Sequence, residues 1–311
     1  MNELIKAERT EITTRNLTHD MMTRFVAFID AKPKTVETYS RAIRQLFAFL
    51  GAHGISNPTR EDIMAFREEL KATGHKPTTI QNYVTATRLF FQWAEQEGLY
   101  QNIAAHIKGA TISREHKKDY LTSRQVKAVL ADIDRTTAQG KRDFAILALM
   151  VTGGLRTVEV VRADVGDLRT VGDNSVLFIQ GKGRDEKSEY VKLNAQVETA
   201  IRDYLKTRGS VREEEPLFTS ASNNNRGQRM TTRAISGIAK VHMKGAGYNS
   251  DRLTAHSLRH TAVTISLLAG KPLEEVQQFA RHANISTTMI YNHALDKAKN
   301  GCSEAIARAI F

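Results

Sequence analysis

A chain of 311 residues with 41% hydrophobic and 25% charged content is long enough for about two domains and too apolar to be disordered over most of its length. Its net charge of +11 points to a polyanionic partner, either nucleic acid or an anionic membrane surface. A single cysteine, Cys302, excludes internal disulfides and cysteine-based zinc sites, and the longest apolar run, 144–151, is too short to span a bilayer. The ten histidines have no metal-ligand spacing, and residues 1–6 have no apolar leader. The expectation is a cytoplasmic protein without metal or cofactor, and with no membrane partner.

Residues 1–18 are polar and read as a short arm. Helical spacing of Met22, Phe25, Val26 and Ile29 predicts a first helix over 20–30. Pro33 separates it from a second, with Thr35 as N-cap and an inner face of Tyr39, Ile43, Leu46, Phe47 and Leu50. Thr59 and Asp62 have the spacing of a capping box for a third helix, which buries Ile63, Phe66 and Leu70 and stops at Gly74. Pro77 and Thr78 open a fourth, with Ile80, Tyr83, Val84, Leu89, Phe90 and Trp93 inward. No strand pattern interrupts this small all-helical domain, 1–108. Lys76, Thr78 and Thr79 sit at a helix start, where backbone N–H groups favour phosphate; the plainer reading is a set of solvated positions.

Residues 109–118 read as a linker ending in a basic cluster that includes Arg114, Lys117 and Lys118 and suits a phosphate backbone. The second domain, 119–311, opens with a capped helix over 123–133. An apolar helix over 143–151 follows, then a Gly153-Gly154 break and a new helix. Two strands, 175–180 and 188–193, flank a Gly-rich turn carrying Lys182. Helices return at 195–208, at 230–244 and from Thr254 onward, and a tail helix lies within 295–311.

A phosphodiester can be cut by a tyrosine hydroxyl if positive charge meets the equatorial oxygens, a base helps the nucleophile and an acid protonates the leaving oxygen. Arginine suits the second task because its planar fork grips phosphate oxygens in pairs. Arg156 follows the Gly-Gly break at a helix start. His256 and Arg259 share a helix face at i and i+3. Lys182 lies between two glycines, and His282 precedes Tyr291 by nine residues. Glu159 is placed to orient Arg156, while His260 points about 100° away from Arg259 and reads as structural. Taken singly, Tyr291 reads as a packing residue, His282 as a capping histidine and Lys182 as a turn lysine.

Taken together and in order, Arg156, Lys182, His256-Ser257-Leu258-Arg259, His282 and Tyr291 resemble the signature of the tyrosine recombinase (phage integrase) family. The likeness runs over nearly the whole chain and is specific, since six positions match in order. It implies a mainly α protein: an N-terminal helical, SAM-like core-binding bundle, followed by a mixed α+β catalytic domain with a small antiparallel sheet. It implies that Tyr291 attacks the scissile phosphate to give a 3′-phosphotyrosine. Arg156 and Arg259 would hold the phosphate, with a hydrogen bond from His282. His256 would assist proton removal, and Lys182 would protonate the leaving 5′-oxygen, with Lys187 the next candidate. The implied partner is double-stranded DNA with inverted-repeat core sites, synapsed by a homotetramer that is monomeric when free and whose C-terminal helix docks on a neighbouring protomer. Two departures stand out: Ala280-Arg281 occupies the place where Leu-Gly is common, and Thr157-Val158-Glu159-Val160 that of Ile-Ser-Glu-Leu. A type IB topoisomerase and a non-catalytic sequence-specific DNA-binding protein are the alternatives. The absence of room for an arm-binding domain favours an Xer-like or compact mobile-element recombinase.

Overall fold

The computed structural model describes residues 19–112, 119–181, 184–299 and 302–310. The chain divides into two compact units, Met1–Ser113 and Arg114–Phe311. The architecture is mainly helical with one small antiparallel sheet, as the resemblance implies.

The first unit is a bundle of α1 (His19–Phe28), α2 (Pro33–Ala52), α3 (Arg60–Ala72) and α4 (Pro77–Gln96). Its core gathers the apolar stripes read from the sequence, with Phe25, Phe90 and Trp93 in mutual ring contact at 5.3–5.8 Å. The Thr59 backbone N–H donates to the Asp62 carboxylate at 2.7 Å, closing one arm of the expected capping box. Thr35 is not an N-cap. Helix α2 begins at Pro33, with Lys32 as cap, because proline has its φ preset for the first helical position and lacks only an N–H that would be unpaired there. Helix α4 starts the same way, on Lys76 and Pro77. Lys76 and Thr78 are exposed and Thr79 is half-buried at that start. The linker candidates Arg114, Lys117 and Lys118 lie outside the described residues.

The second unit runs α5 (Ser123–Ala131), α6 (Ala138–Thr152) and α7 (Thr157–Arg162), then β1 (Leu168–Val171), β2 (Asn174–Ile179) and β3 (Glu189–Lys192). It continues through α8 (Ala195–Lys206), α9 (Thr232–Gly245), α10 (Ala255–Leu268), α11 (Leu273–Ala280), α12 (Ile285–Lys299) and α13 (Cys302–Ile310). Strands β2 and β3 are the two expected strands, pairing Val176 with Lys192 and Ile179 with Glu189. Strand β1 was not expected. It is four residues long and largely exposed, so it lacks a buried alternation, and it pairs with β2 across the two-residue turn Gly172-Asp173.

Helix α6 begins five residues before the expected start because the Thr137 hydroxyl accepts from the Gly140 N–H at 3.0 Å. From Ala145 to Val151 every residue of α6 is buried. This central helix ends at Gly153-Gly154, where Gly154 takes φ +57° and a Cβ would come within 3.0 Å of the Phe279 ring. The chain therefore turns tightly there and delivers Arg156 as the N-cap of α7.

Candidate active site

Three arginines meet around the Gly153-Gly154 turn. Arg259, on the buried α10, donates from Nη1 to the Gly154 carbonyl at 2.5 Å and from Nη2 to the Ala280 carbonyl. Arg156 donates from Nη1 to Glu159 at 2.8 Å, and its backbone N–H caps the same carboxylate at 2.8 Å. It also reaches the Arg281 carbonyl at 3.3 Å. Arg281 donates to the Gly154 carbonyl at 2.9 Å and to Glu159 at 3.1 Å.

Glu159 is 0% exposed and carries both guanidiniums. Burial alone would raise its pKa, but Arg281 and then Arg156 hold the carboxyl below the usual range. One carboxylate against three guanidiniums leaves the cluster with surplus positive charge. Burial, then Arg156 and Arg281, push the Arg259 guanidinium down to about 9, so it stays charged at neutral pH while an anion beside it would relieve the repulsion.

Arg281 resolves the departure at that position. It adopts φ +53°, ψ 47°, the left-handed conformation that ends α11 and that glycine takes most easily. Forcing a side chain there costs about 1 kcal/mol. The bonds to Glu159 and the Gly153-Gly154 turn offset that cost and tie the end of α11 to the start of α7. Sequence reading missed this role, because the partners lie more than 120 residues away. Arg281→Met should lower stability by about 3 kcal/mol, since a buried carboxylate loses one of two partners. Adding Glu159→Gln should recover part of the loss. Urea unfolding of the single and double variants checks both, and unchanged stability of Arg281→Met would remove the ion pair from the account.

His282 and Tyr291 complete the cluster. The turn between them holds its shape because the Asn284 side chain accepts from the Ser286 N–H at 2.8 Å, starting α12. His282 Nδ1 pairs with the Thr288 hydroxyl at 2.9 Å. Burial, then Arg259 and Arg156, push the His282 imidazole down to about 4, so it is neutral at pH 7. The His282 and Tyr291 rings are near-parallel, 6.3 Å apart. Tyr291 is 7% exposed and packs with Val263, Val276 and Ala280. Burial pushes its phenol up to about 12, while Arg259 and Arg156 pull it down.

His256 is exposed in the first turn of α10, its ring 4.4 Å from that of His260. His260 is buried and its Nδ1 meets the Tyr291 hydroxyl. Helix α10 is thus enclosed on two sides: Arg259 faces the Gly154 turn while His260, read from the sequence as structural, faces α12. Beside Arg156 a groove of about 610 Å³ opens, lined also by Gly181, Arg184, Gln277, Arg281 and His282. Lys182 lies outside the described residues. Lys187 is held at 2.5 Å by both Asp164 and Asp167, which brace it against the start of the sheet.

Residues 119–298 match the phage integrase family and residues 28–98 the phage integrase N-terminal SAM-like domain. The chain belongs to the phage integrase family. It is 31% identical to a tyrosine recombinase XerC of Herpetosiphon aurantiacus, over 83% of this chain and 84% of that one. To a tyrosine recombinase of Synechococcus elongatus it is 28% identical over 89% and 90%. The fold is shared with the XerH site-specific recombinase in its post-cleavage complex with a palindromic difH substrate (TM-score 0.70, 20% identity, 85% of this chain and 78% of that one). It is shared also with a lambda integrase dimer bound to a COC′ core site (TM-score 0.67, 14% identity, 86% and 96%). Among the described residues no helix is long and apolar enough to cross a membrane.

Proposed function

We propose that this chain is a site-specific DNA recombinase that cuts and rejoins strands through a 3′-phosphotyrosine on Tyr291. The observation that carries the reading is the gathering of Arg156, Arg259, neutral His282 and Tyr291 round one turn, with excess positive charge. In this reading Arg156 and Arg259 grip the non-bridging oxygens of the scissile phosphate, where charge builds in the transition state. Neutral His282 donates a further hydrogen bond, and Glu159 and Arg281 keep Arg156 in place. His256, exposed at the α10 start, assists proton removal. Lys182 protonates the leaving 5′-oxygen. Covalent capture conserves the phosphodiester energy, so rejoining consumes no nucleotide.

The partner is double-stranded DNA with inverted-repeat core sites, contacted also by Lys76, Thr78 and Thr79 at the α4 start and by Arg114, Lys117 and Lys118. Four copies act together on two sites, in the cytoplasm, on a chromosomal or mobile-element target. Support for assembly comes from α13, whose Ile306 and Ile310 are 58% and 68% exposed, an apolar face suited to a neighbouring protomer. A lambda integrase tetramer bound to a Holliday junction shares the fold (TM-score 0.66, 15% identity, 86% of this chain and 77% of that one). The test is to select genomic fragments bound by the chain, build the bound site into a nicked duplex that cannot religate, and sequence the peptide attached to DNA. Attachment at Tyr291, with exchange between two intact sites, is the expected result. Attachment with relaxation of supercoils but no exchange would favour a topoisomerase, and DNA binding without attachment a non-catalytic protein.

A further inference from the structure

The reaction needs a group to take the phenolic proton as the tyrosine attacks, and the resemblance assigns that help to His256. The structure places a different imidazole on the hydroxyl itself. His260 lies one residue beyond Arg259 and turns about 100° from it round the helix, which brings it to α12. Its Nδ1 makes the hydrogen bond to Tyr291, and the two rings lie 5.1 Å apart with a 37° tilt. The contact spans 31 residues of sequence and joins the two helices that carry the arginine and the nucleophile. His260 is 5% exposed, so the bond is shielded from water. The His256 ring packs edge-on against it, and His256 is exposed.

We propose that His260 is a catalytic residue of this chain: its Nδ1 accepts the Tyr291 proton during cleavage and returns it during rejoining. The inference rests on the reading of Tyr291 as nucleophile. It requires the tautomer with hydrogen on Nε2, so that Nδ1 is the acceptor. In cleavage the Tyr291 O–H bond breaks as its oxygen bonds to phosphorus, and the proton passes to Nδ1, giving an imidazolium. The bond from phosphorus to the 5′-oxygen breaks, and that oxygen takes a proton from the separate acid, Lys182 in the reading above. In rejoining, the 5′-hydroxyl gives its proton back to that acid as it attacks phosphorus, and the departing tyrosine oxygen recovers its proton from Nδ1. Burial that pushes the phenol up to about 12 makes such a base the more necessary, because the free phenolate is scarce at neutral pH.

The full chain, with a nicked duplex of its own site, tests this by the single-turnover rate of covalent attachment. His260→Asn is the informative variant, since its amide oxygen can still accept the tyrosine hydrogen bond but cannot carry the proton away. It should bind the duplex as wild type does and attach about 10²-fold more slowly. His260→Ala should be slow too and be accelerated by added imidazole. With difluorotyrosine at position 291, whose hydroxyl is more acidic, the His260→Asn deficit should shrink. Attachment by His260→Asn within twofold of wild type would overturn the proposal, as would a deficit that difluorotyrosine leaves unchanged. If the asparagine variant does not bind DNA, the imidazole response of His260→Ala decides, and no acceleration counts against the proposal. Failure of the wild-type chain to attach through Tyr291 would instead sink the underlying reading of the reaction.

Discussion

Tyr291→Phe is expected to bind the recognised duplex as the wild-type chain does and to form no covalent complex with it. The substitution removes one oxygen and leaves the ring that packs with Val263, Val276 and Ala280. The structural loss is one buried hydrogen bond, to His260, worth about 1 kcal/mol. The chemical loss is total, because the oxygen that would bond to phosphorus is gone. Arg156 and Arg259, proposed to hold the phosphate, are untouched. Gel mobility and denaturant-resistant attachment on the same nicked duplex check both halves. An adduct that persists in Tyr291→Phe would remove Tyr291 from the nucleophile's role.

Arg259→Lys should be the next most damaging change, although it conserves charge. Arg259 spans two carbonyls, of Gly154 and Ala280, with one planar group. That fork locks the end of α11 to the turn before α7. Lysine offers a point charge on a flexible stem and cannot hold both carbonyls while facing a phosphate. Loss of one preorganised donor to a developing anion lowers rates by about 10²–10³-fold, and attachment should fall by at least this much. Binding should change little, since one positive charge of many is retained. A lysine variant that attaches at the wild-type rate would show that charge alone suffices at this position.

Much of the site was legible before folding because its chemistry uses residue types that are informative in order. Arg156 follows the Gly-Gly break and His256 shares a helix face with Arg259, but Lys182, His282 and Tyr291 each had a plainer reading, and it was the order of all six that resembled the family signature. The helices were legible where caps and apolar stripes agree, as at Thr59 with Asp62. They were misread where a proline could serve as either separator or first helical residue, as at Pro33. Strand β1 was illegible because an exposed four-residue strand has no hydrophobic alternation to read.

The linear order of residues pointed to Tyr291 as candidate nucleophile and to Arg156 and Arg259 as candidate phosphate ligands through its resemblance to a family signature, and to the two-part helical architecture through caps and apolar stripes. Tertiary structure decided which groups meet. It placed Arg281 in a left-handed turn against Glu159, explaining a side chain that local rules disfavour. It turned His260 towards Tyr291, where helix periodicity had only turned it away from Arg259. Both contacts join elements distant in the chain, and whether a buried polar group finds its partner depends on how helices pack rather than on the sequence beside it.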